Sequence, residues 1–275
     1  MNTLFKTVLI LSVLGSVVTL FLLFLKPITM KKFPAKWQYY AWIVALLTML
    51  IPTYNLIPDD GVQKIRHITN MEASQNDSKT FDVNIPPAET SDTLPVTERK
   101  INLPQNVKIK LFDLATVIWI FGVSVFLLVA LISYFVYIFR RRKNSILLEN
   151  SPVLLDVKKE LKIHRNIRVR MSSDIASPML VGVFFPVVYM PCRQISNNMM
   201  RLIYLHELTH YKRKDLIVKW FALFVNAIHW FNPFAYLLSA NLSEACEISC
   251  DMEVTKNMSE EQQKLYMKTI LELVE

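Results

Sequence analysis

The sequence predicts a mainly α integral membrane protein that ends in a smaller α+β domain. Of its 275 residues, 52% are hydrophobic, and the mean hydropathy of +0.29 is too high for an ordinary soluble domain. Three apolar runs are each long enough to cross a bilayer, whereas residues 144–275 mix helical with strand-like spacing. These observations favour three transmembrane helices followed by one folded domain.

The first two membrane spans are predicted within residues 1–57. Residues 7–25 form an apolar run that is long for a signal peptide, and no small-residue cleavage site follows before Lys26, so we expect it to be retained. A short lysine-rich loop follows, and residues 39–57 form the second span. Because lysine and arginine concentrate in cytoplasmic loops, we expect this loop inside the cell and the N-terminus outside.

Residues 58–111 are rich in proline and polar residues and show no apolar periodicity, so we expect an extracellular loop. Residues 112–143 contain the third span and end in four consecutive basic residues, 140–143, which anchor that end in the cytoplasm. The net charge of +8 comes largely from such loops, so we expect no direct contact with nucleic acid. The three cysteines make no disulfide framework.

Residues 144–275 are predicted to form the cytoplasmic domain. Periodicity and capping signals indicate a helix at 153–163, a strand at 167–171, a hairpin of strands 179–183 and 187–190, and helices at 197–213, 216–231, 233–254 and from 260 onward. The helix at 216–231 is short for a span and is expected to pack against, or dip into, the inner leaflet. The sequence stops at Glu275 without a helix stop signal, which favours a fragment or a truncated product.

Residues 206–210 read His-Glu-Leu-Thr-His and carry the predicted chemistry. Two histidines four residues apart lie on one face of a helix, so both imidazoles can bind the same metal ion. Glu207 is rotated by about 100° from His206, which places its carboxylate beside the metal, where it can hold a water molecule. This arrangement is typical of zinc hydrolases, and we expect His206 and His210 to bind Zn²⁺.

A catalytic zinc needs a third protein ligand and one position left open for water. The next helix offers Glu244, Glu247, Cys250 and Asp251. Glu247 and Asp251 share a face, so the glutamate can bind the metal while the aspartate accepts a hydrogen bond from a ligating imidazole. Glu244 is the reserve ligand, and a Cys250 thiolate would favour a closed, structural site.

Four separated segments resemble the integral-membrane gluzincins of the β-lactam sensor/signal transducer family, the methicillin-resistance and β-lactamase regulators. They are residues 206–210, Lys-Arg-Lys-Asp at 212–215, His-Trp-Phe-Asn-Pro at 229–233 and Cys-Glu-Ile-Ser-Cys-Asp at 246–251. Ser177, Pro178 and Met179 with Gly182, Pro186 and Pro191 resemble that family's hairpin. The three spans and the long second loop are also similar to its N-terminal half.

The resemblance implies a gluzincin-like zinc peptidase with His206, His210 and Glu247 as ligands, Glu207 as the general base and Asp251 as the aspartate of a Glu-x-x-x-Asp element. In such receptors the signal ends with loss of a cytoplasmic DNA-binding repressor, and the receptors also cleave themselves. A fourth span and an external penicillin-binding sensor follow the peptidase in that family, and neither lies within these 275 residues.

The favoured function is therefore a multi-pass zinc endopeptidase of the cell membrane. It would belong to an antirepressor system of antibiotic resistance and cleave a cytoplasmic repressor, itself, or both. Its expected partners are the lipid bilayer and a protein substrate, with homodimerisation left open. A second hypothesis is a non-catalytic transmembrane receptor half with a structural zinc, and a third is a membrane scaffold without metal.

Overall fold

The computed structural model describes residues 2–52, 105–148 and 151–274, which are mostly helical. Their elements are, in chain order, α1 Asn2–Lys32, α2 Ala35–Thr48, α3 Gln105–Lys143, β1 Ser145–Leu148, α4 Pro152–Glu160, β2 Arg168–Ser172, β3 Met179–Val181, β4 Val187–Pro191, α5 Asn197–Arg213, α6 Asp215–Ile228, α7 Pro233–Thr255 and α8 Glu260–Val274. In chain order, the strands of a small mixed sheet follow the apolar N-terminal helices and precede the helical C-terminal part.

Two of these helices are long and apolar enough to cross a membrane, Leu4–Lys32 in α1 and Asp113–Lys143 in α3. Most side chains of α3 are exposed, and an apolar helix with little protein cover suits a lipid environment. The 14 residues of α2 rise by only about 21 Å, less than the hydrocarbon core of a bilayer. Of the rest of the predicted second span, residues 49–52 are described and are not helical, and residues 53–57 lie outside the described residues.

Two predicted boundaries of the membrane half were wrong. Helix α1 continues past Pro27 to Lys32, so most of the predicted basic loop forms the last turns of α1, and only residues 33–34 connect it to α2. Helix α3 begins at Gln105, so residues 105–111 are helical rather than part of the loop predicted for 58–111. The remainder of that loop, 58–104, lies outside the described residues.

The four strands form one sheet in the order β1-β2-β4-β3. The predicted hairpin is confirmed as the antiparallel pair β3–β4, in which Leu180 faces Val188. Strand β2 pairs parallel with β4 and antiparallel with β1, a strand that the sequence patterns did not predict. Val169 of β2 and Val188 of β4 belong to the same buried core as Leu202 and Leu205 of α5, so the sheet and the motif helix share one core.

The sequence signals for helix starts are confirmed at three helices. The Ser196 hydroxyl accepts the Met199 amide at 3.3 Å at the start of α5, and Asn232 accepts the Phe234 amide at 2.9 Å at the start of α7. Before α8, Ser259 and Gln262 form the reciprocal hydrogen bonds of a capping box. Local side-chain chemistry therefore determines where these helices begin.

The turn between α6 and α7 inserts among the three N-terminal helices. Asn232 Nδ2 contacts α1, at 2.7 Å from Ser12 Oγ and 2.9 Å from Ser16 Oγ. His229 Nε2 lies 2.9 Å from the Met49 carbonyl at the end of α2. From α3, the Trp119 indole N–H is donated to the Ile228 carbonyl at 2.8 Å. A Cβ on Gly122 would approach Trp230 to 2.4 Å, so only glycine lets α3 come this close. The α6–α7 hairpin thus runs alongside α1–α3 and ties the C-terminal half to the apolar helices.

Candidate metal centre

Helices α5 and α7 bring three of the predicted ligand atoms together. His206 Nε2 lies 3.1 Å from His210 Nε2, His210 Nε2 lies 3.2 Å from Glu247 Oε2, and His206 Nε2 lies 3.6 Å from the same oxygen. Zinc bonds of about 2.0–2.1 Å in a tetrahedron require ligand atoms to be about 3.3–3.4 Å apart. These three atoms, which we call the triangle, therefore have the dimensions of three corners of one zinc tetrahedron.

The second carboxylate oxygen of Glu247 has a different partner. Lys219 Nζ of α6 lies 3.0 Å from Glu247 Oε1, while Oε2 faces the two imidazoles. Burial raises the pKa of Glu247, but hydrogen bonds from His206 and His210 outweigh it and hold that pKa well below its usual range. Glu247 is therefore a carboxylate at neutral pH, with one oxygen available to a cation.

The tautomer of His210 is determined by Asp215, a fully buried residue at the start of α6. Asp215 Oδ2 lies 2.8 Å from His210 Nδ1, so Nδ1 donates a proton and the Nε2 lone pair is directed at the triangle. Tyr39 of α2 donates to Asp215 Oδ1 at 2.9 Å, and Arg213 Nε lies 3.3 Å from Oδ2. Burial alone would raise the pKa of Asp215. His210, Arg213 and Tyr39 outweigh it and hold that pKa below its usual range.

The tautomer of His206 is determined by a tyrosine and an aspartate. The Tyr266 hydroxyl of α8 donates to Asp251 Oδ1 at 2.5 Å and lies 2.7 Å from His206 Nδ1, which is also 3.2 Å from Asp251 Oδ1. Burial and Asp251 raise the pKa of Tyr266, so its hydroxyl remains protonated. Since that proton goes to Asp251, His206 Nδ1 is the donor to the tyrosine oxygen, and its Nε2 lone pair is free for a metal.

The carboxyl group of Glu207 lies against the edge strand of the sheet. The residue is buried, and the backbone of Leu180 in β3 lies close enough to act on its pKa. Burial raises the pKa of Glu207 above its ordinary value, although His206 and His210 oppose the shift. A carboxylate with a raised pKa, next to a metal triangle but not part of it, suits proton transfer.

The other residues considered as ligands from the sequence do not place an atom in the triangle. Glu244 points to α1, where its Oε2 lies 2.7 Å from Lys26 Nζ, so the reserve ligand is engaged elsewhere. His229 is buried at the α6–α7 turn and bonds to a backbone carbonyl, as expected for a structural histidine. Cys250 is buried, and its sulfur lies within 4.8 Å of ligand atoms of both His206 and His210, which keeps the thiolate alternative open.

Three supporting residues were not predicted as part of the site: Asp215, Tyr266 and Lys219. Asp215 had a signal, because it follows His210 by five residues and ends the Lys-Arg-Lys-Asp segment. Only the left-handed backbone of Lys214, which ends α5, brings it back to the imidazole. Tyr266 comes from the last described helix, 60 residues after His206, and had no local sequence signal.

Comparison with known proteins agrees with the family resemblance of the motifs and confirms it. A family model described as BlaR1 peptidase M56 matches residues 6–275. The chain is similar to the Regulatory protein BlaR1 of Bacillus licheniformis, with 27% identity over 247 residues that cover 85% of this chain and 40% of that protein. It is also similar to the Methicillin resistance mecR1 protein of Staphylococcus aureus and of Staphylococcus epidermidis, with 24% identity over 275 residues, 96% of this chain and 45% of those proteins. The chain therefore spans less than half the length of the curated relatives it matches.

The Tyr266 hydroxyl is expected to strengthen metal binding. Substitution Tyr266→Phe removes the nearer acceptor of His206 Nδ1, at 2.7 Å, and leaves Asp251 Oδ1 at 3.2 Å. Loss of such a supporting partner typically weakens metal affinity by about 10- to 100-fold. Competition with a zinc-binding dye measures the dissociation constant. Tyr204→Phe is the control, because that hydroxyl, also on a buried tyrosine, lies near Ser151 at the start of α4. Equal zinc affinity in the two variants would contradict the assigned role.

Zinc binding is expected to release protons at neutral pH. In the metal-free site burial lowers the pKa of His206, but hydrogen bonds to Asp251 and Glu247 raise it to about 9. The 3.1 Å separation of the two Nε2 atoms lets one of them carry a proton at a time. Binding at pH 7 should therefore release about one proton, since the imidazole that carries it must lose it to bind the metal. Calorimetric titration in buffers of different ionisation enthalpy measures it, and heats independent of the buffer at pH 7 would refute the prediction.

Proposed function

This chain belongs to the BlaR1 peptidase M56 family, and we propose that it is a membrane-embedded zinc endopeptidase in an antirepressor signalling system. One observation carries the proposal. His206 Nε2, His210 Nε2 and Glu247 Oε2 form a triangle of zinc dimensions, and the next residue on α5, Glu207, provides a buried carboxyl group beside it. Three ligands with a carboxylate next to an open position are typical of catalytic rather than structural zinc.

The mechanism assigns a separate task to each side chain. His206, His210 and Glu247 would hold zinc, which when bound supplies Lewis-acid activation of a water molecule and of the scissile carbonyl. The Glu207 carboxylate takes a proton from the attacking water and returns it to the departing amine. Its raised pKa suits both steps, because the group must be a base in the first step and an acid in the second.

The proposed substrate is a cytoplasmic protein such as a transcriptional repressor, the chain itself, or both. The names of the relatives, a regulatory protein and a methicillin resistance protein, support a role in regulating antibiotic resistance. Strand β3 is one edge of the sheet, and its Leu180 lies close to Glu207, so an extended peptide there would lie beside the proposed general base. Main-chain pairing of this kind accepts many sequences.

We further propose three membrane spans, with the N-terminus outside and residues 144–275 in the cytoplasm. The basic ends of α1 and α3, Lys31–Lys32 and residues 140–143, support this orientation. Ion pairs of Lys26 with Glu244 and of Lys36 with Glu253 join the same end of α1 and α2 to α7, the helix that carries Glu247. The metal triangle would then lie near the cytoplasmic surface of the membrane.

The second hypothesis, a non-catalytic receptor half with structural zinc, rests on Cys250. Its sulfur lies close enough to both histidines to become a ligand if the helices shift slightly. A thiolate in the fourth position would close the site to water. Loss of catalysis on removing the Glu207 carboxylate distinguishes the two hypotheses, since a structural site would not need that group.

Substitution Glu207→Gln is expected to lower peptide-bond cleavage by about 10²- to 10⁴-fold, because the amide cannot accept the proton of water. Zinc content should stay stoichiometric, since Glu207 is not one of the three proposed ligands. Fragments of the protein itself and of added protein substrates would be followed by mass spectrometry in proteoliposomes.

The matched control for this experiment is Glu244→Gln, the same chemical change at a glutamate that pairs with Lys26. It should retain both zinc and cleavage. Equal peptide-bond cleavage by the wild type and by Glu207→Gln would contradict the peptidase proposal and favour the receptor hypothesis.

The orientation can be measured with a native cysteine. Cys192 is exposed, whereas Cys246 and Cys250 are buried, so a thiol reagent should modify Cys192 first. We expect a membrane-impermeant maleimide to label inverted membrane vesicles but not intact cells. Cys192→Ser should remove the signal, and labelling of intact cells would place the domain outside.

A further inference from the structure

A cleft of about 450 Å³ begins at the metal ligand His210 and extends away from the triangle. Three segments form its walls, namely the turn after α4 at 162–165, the tip of the β3–β4 hairpin at 182–184 and the junction of α5 and α6 at 211–217. We call it the basic cleft. The proton transfers assigned above do not use it, so the residues that line it are available for another role.

The charge of the basic cleft has one sign. Its basic residues are Lys162, His164, Arg165, Lys212 and Lys214, and none of the described residues that line it is acidic. Within the described part of the chain, none of these five is in an ion pair with a carboxylate. The lysines and the arginine among them are cations gathered without counter-charges, which raise the local potential and favour an anionic occupant.

The backbone of the cleft is unusual at two of these lysines. Lys162 and Lys214 have φ of 58° and 62°, the left-handed region, and they are the non-glycine residues with positive φ in the described parts. Helix ends usually place glycine at such positions, because a side chain there is unfavourable. Glycine would stop α4 and α5 equally well, so the lysine side chains add charge to the cleft at a cost in stability.

The cleft also has an apolar component at the hairpin tip. Phe184, which lines the cleft, is 76% exposed, and its neighbour Phe185 is 84% exposed. Arg165 donates a hydrogen bond to the Phe184 carbonyl and so fixes this tip next to the basic turn. On the opposite wall Ile217 is half exposed. An occupant that pairs with the basic side chains and also covers Phe184 and Ile217 carries carboxylates together with apolar side chains.

The position of the cleft connects it to the proposed reaction. It begins at His210, and Gly182, which lines it, directly follows the edge strand whose Leu180 lies close to Glu207. A peptide lying along β3 would therefore continue from the triangle into the cleft. We propose that the basic cleft binds an acidic, apolar segment of the protein substrate next to the scissile bond. This inference rests on the peptidase proposal and adds the substrate chemistry.

Peptide binding to the full-length Glu207→Gln protein, loaded with zinc in phosphatidylcholine nanodiscs, tests the inference without catalysis. The probes are a fluorescent peptide of glutamate alternating with leucine and phenylalanine, and a matched peptide with lysine in place of each glutamate. Fluorescence anisotropy at low salt should show at least about 10-fold tighter binding of the acidic peptide, and the difference should shrink as salt screens the charges. Equal affinity for the two peptides overturns the inference.

Variants of the cleft locate the binding. Lys162→Gly and Arg165→Gln should each weaken the acidic peptide by about 3- to 10-fold, whereas Lys268→Gln, a charge removed from an exposed site on α8, should not. Lys162→Gly should at the same time raise Tm by roughly 2–4 °C, since glycine relieves the left-handed backbone. Weakened binding in a more stable variant excludes unfolding as the cause. An equal loss in Lys268→Gln overturns the assignment to the cleft.

Two further outcomes separate this inference from its alternatives. Equal cleavage of both peptides by the wild type would overturn the selectivity of the cleft but leave the peptidase proposal standing. Selective binding without any cleavage would overturn the peptidase proposal but leave the selectivity of the cleft standing. A tryptophan at the hairpin tip, Phe184→Trp, should change its emission when the acidic peptide binds. A change on adding phosphatidylglycerol to the nanodiscs, with none for the peptide, would assign the tip to the membrane surface and overturn the inference.

Discussion

The proposed metal centre depends on the direction in which two imidazole lone pairs point. Four-residue spacing on α5 places both rings on one face, but a neutral imidazole binds a metal through Nε2 only if Nδ1 carries the proton. Asp215 imposes this on His210, and Tyr266 with Asp251 imposes it on His206. The 3.1 Å approach of the two Nε2 atoms is therefore a consequence of hydrogen bonds made on the far side of each ring.

These hydrogen bonds come from separate parts of the fold, which explains why the apolar helices and the peptidase-like half form one packed structure. Asp215 is held by Tyr39 of α2, and α2 packs against α6 and α7 through Trp42 and Leu46. The α6–α7 turn is in turn fixed among α1, α2 and α3 by buried polar contacts. The orientation of His210 thus depends on a helix near the N-terminus, far from it in sequence.

The sequence predicted those parts of the fold and site that depend on local patterns. The three N-caps, the β3–β4 hairpin and the one-faced pair His206 and His210 follow from spacing within a few residues, and the structure has them. Strand β1 was missed because its four residues become a strand only by pairing with β2. Tyr266 and Lys219 were missed for the same reason, since their roles arise from helix packing across 60 and 28 residues. The helical residues 105–111 were assigned to a loop because their polar composition carries no membrane signal.

The two histidines proposed as metal ligands differ in how firmly the fold holds their hydrogen-bond partners. Asp215 is fully buried and has three donors, so the His210 orientation is secured by packing on every side. Tyr266 is also buried, but its neighbours Leu265, Met267 and Leu271 on α8 are exposed. Because local stability follows the apolar contacts of a segment, α8 should open before α2 does. The His206 side of the triangle is therefore the side whose geometry responds first to anything that shifts the last described helix.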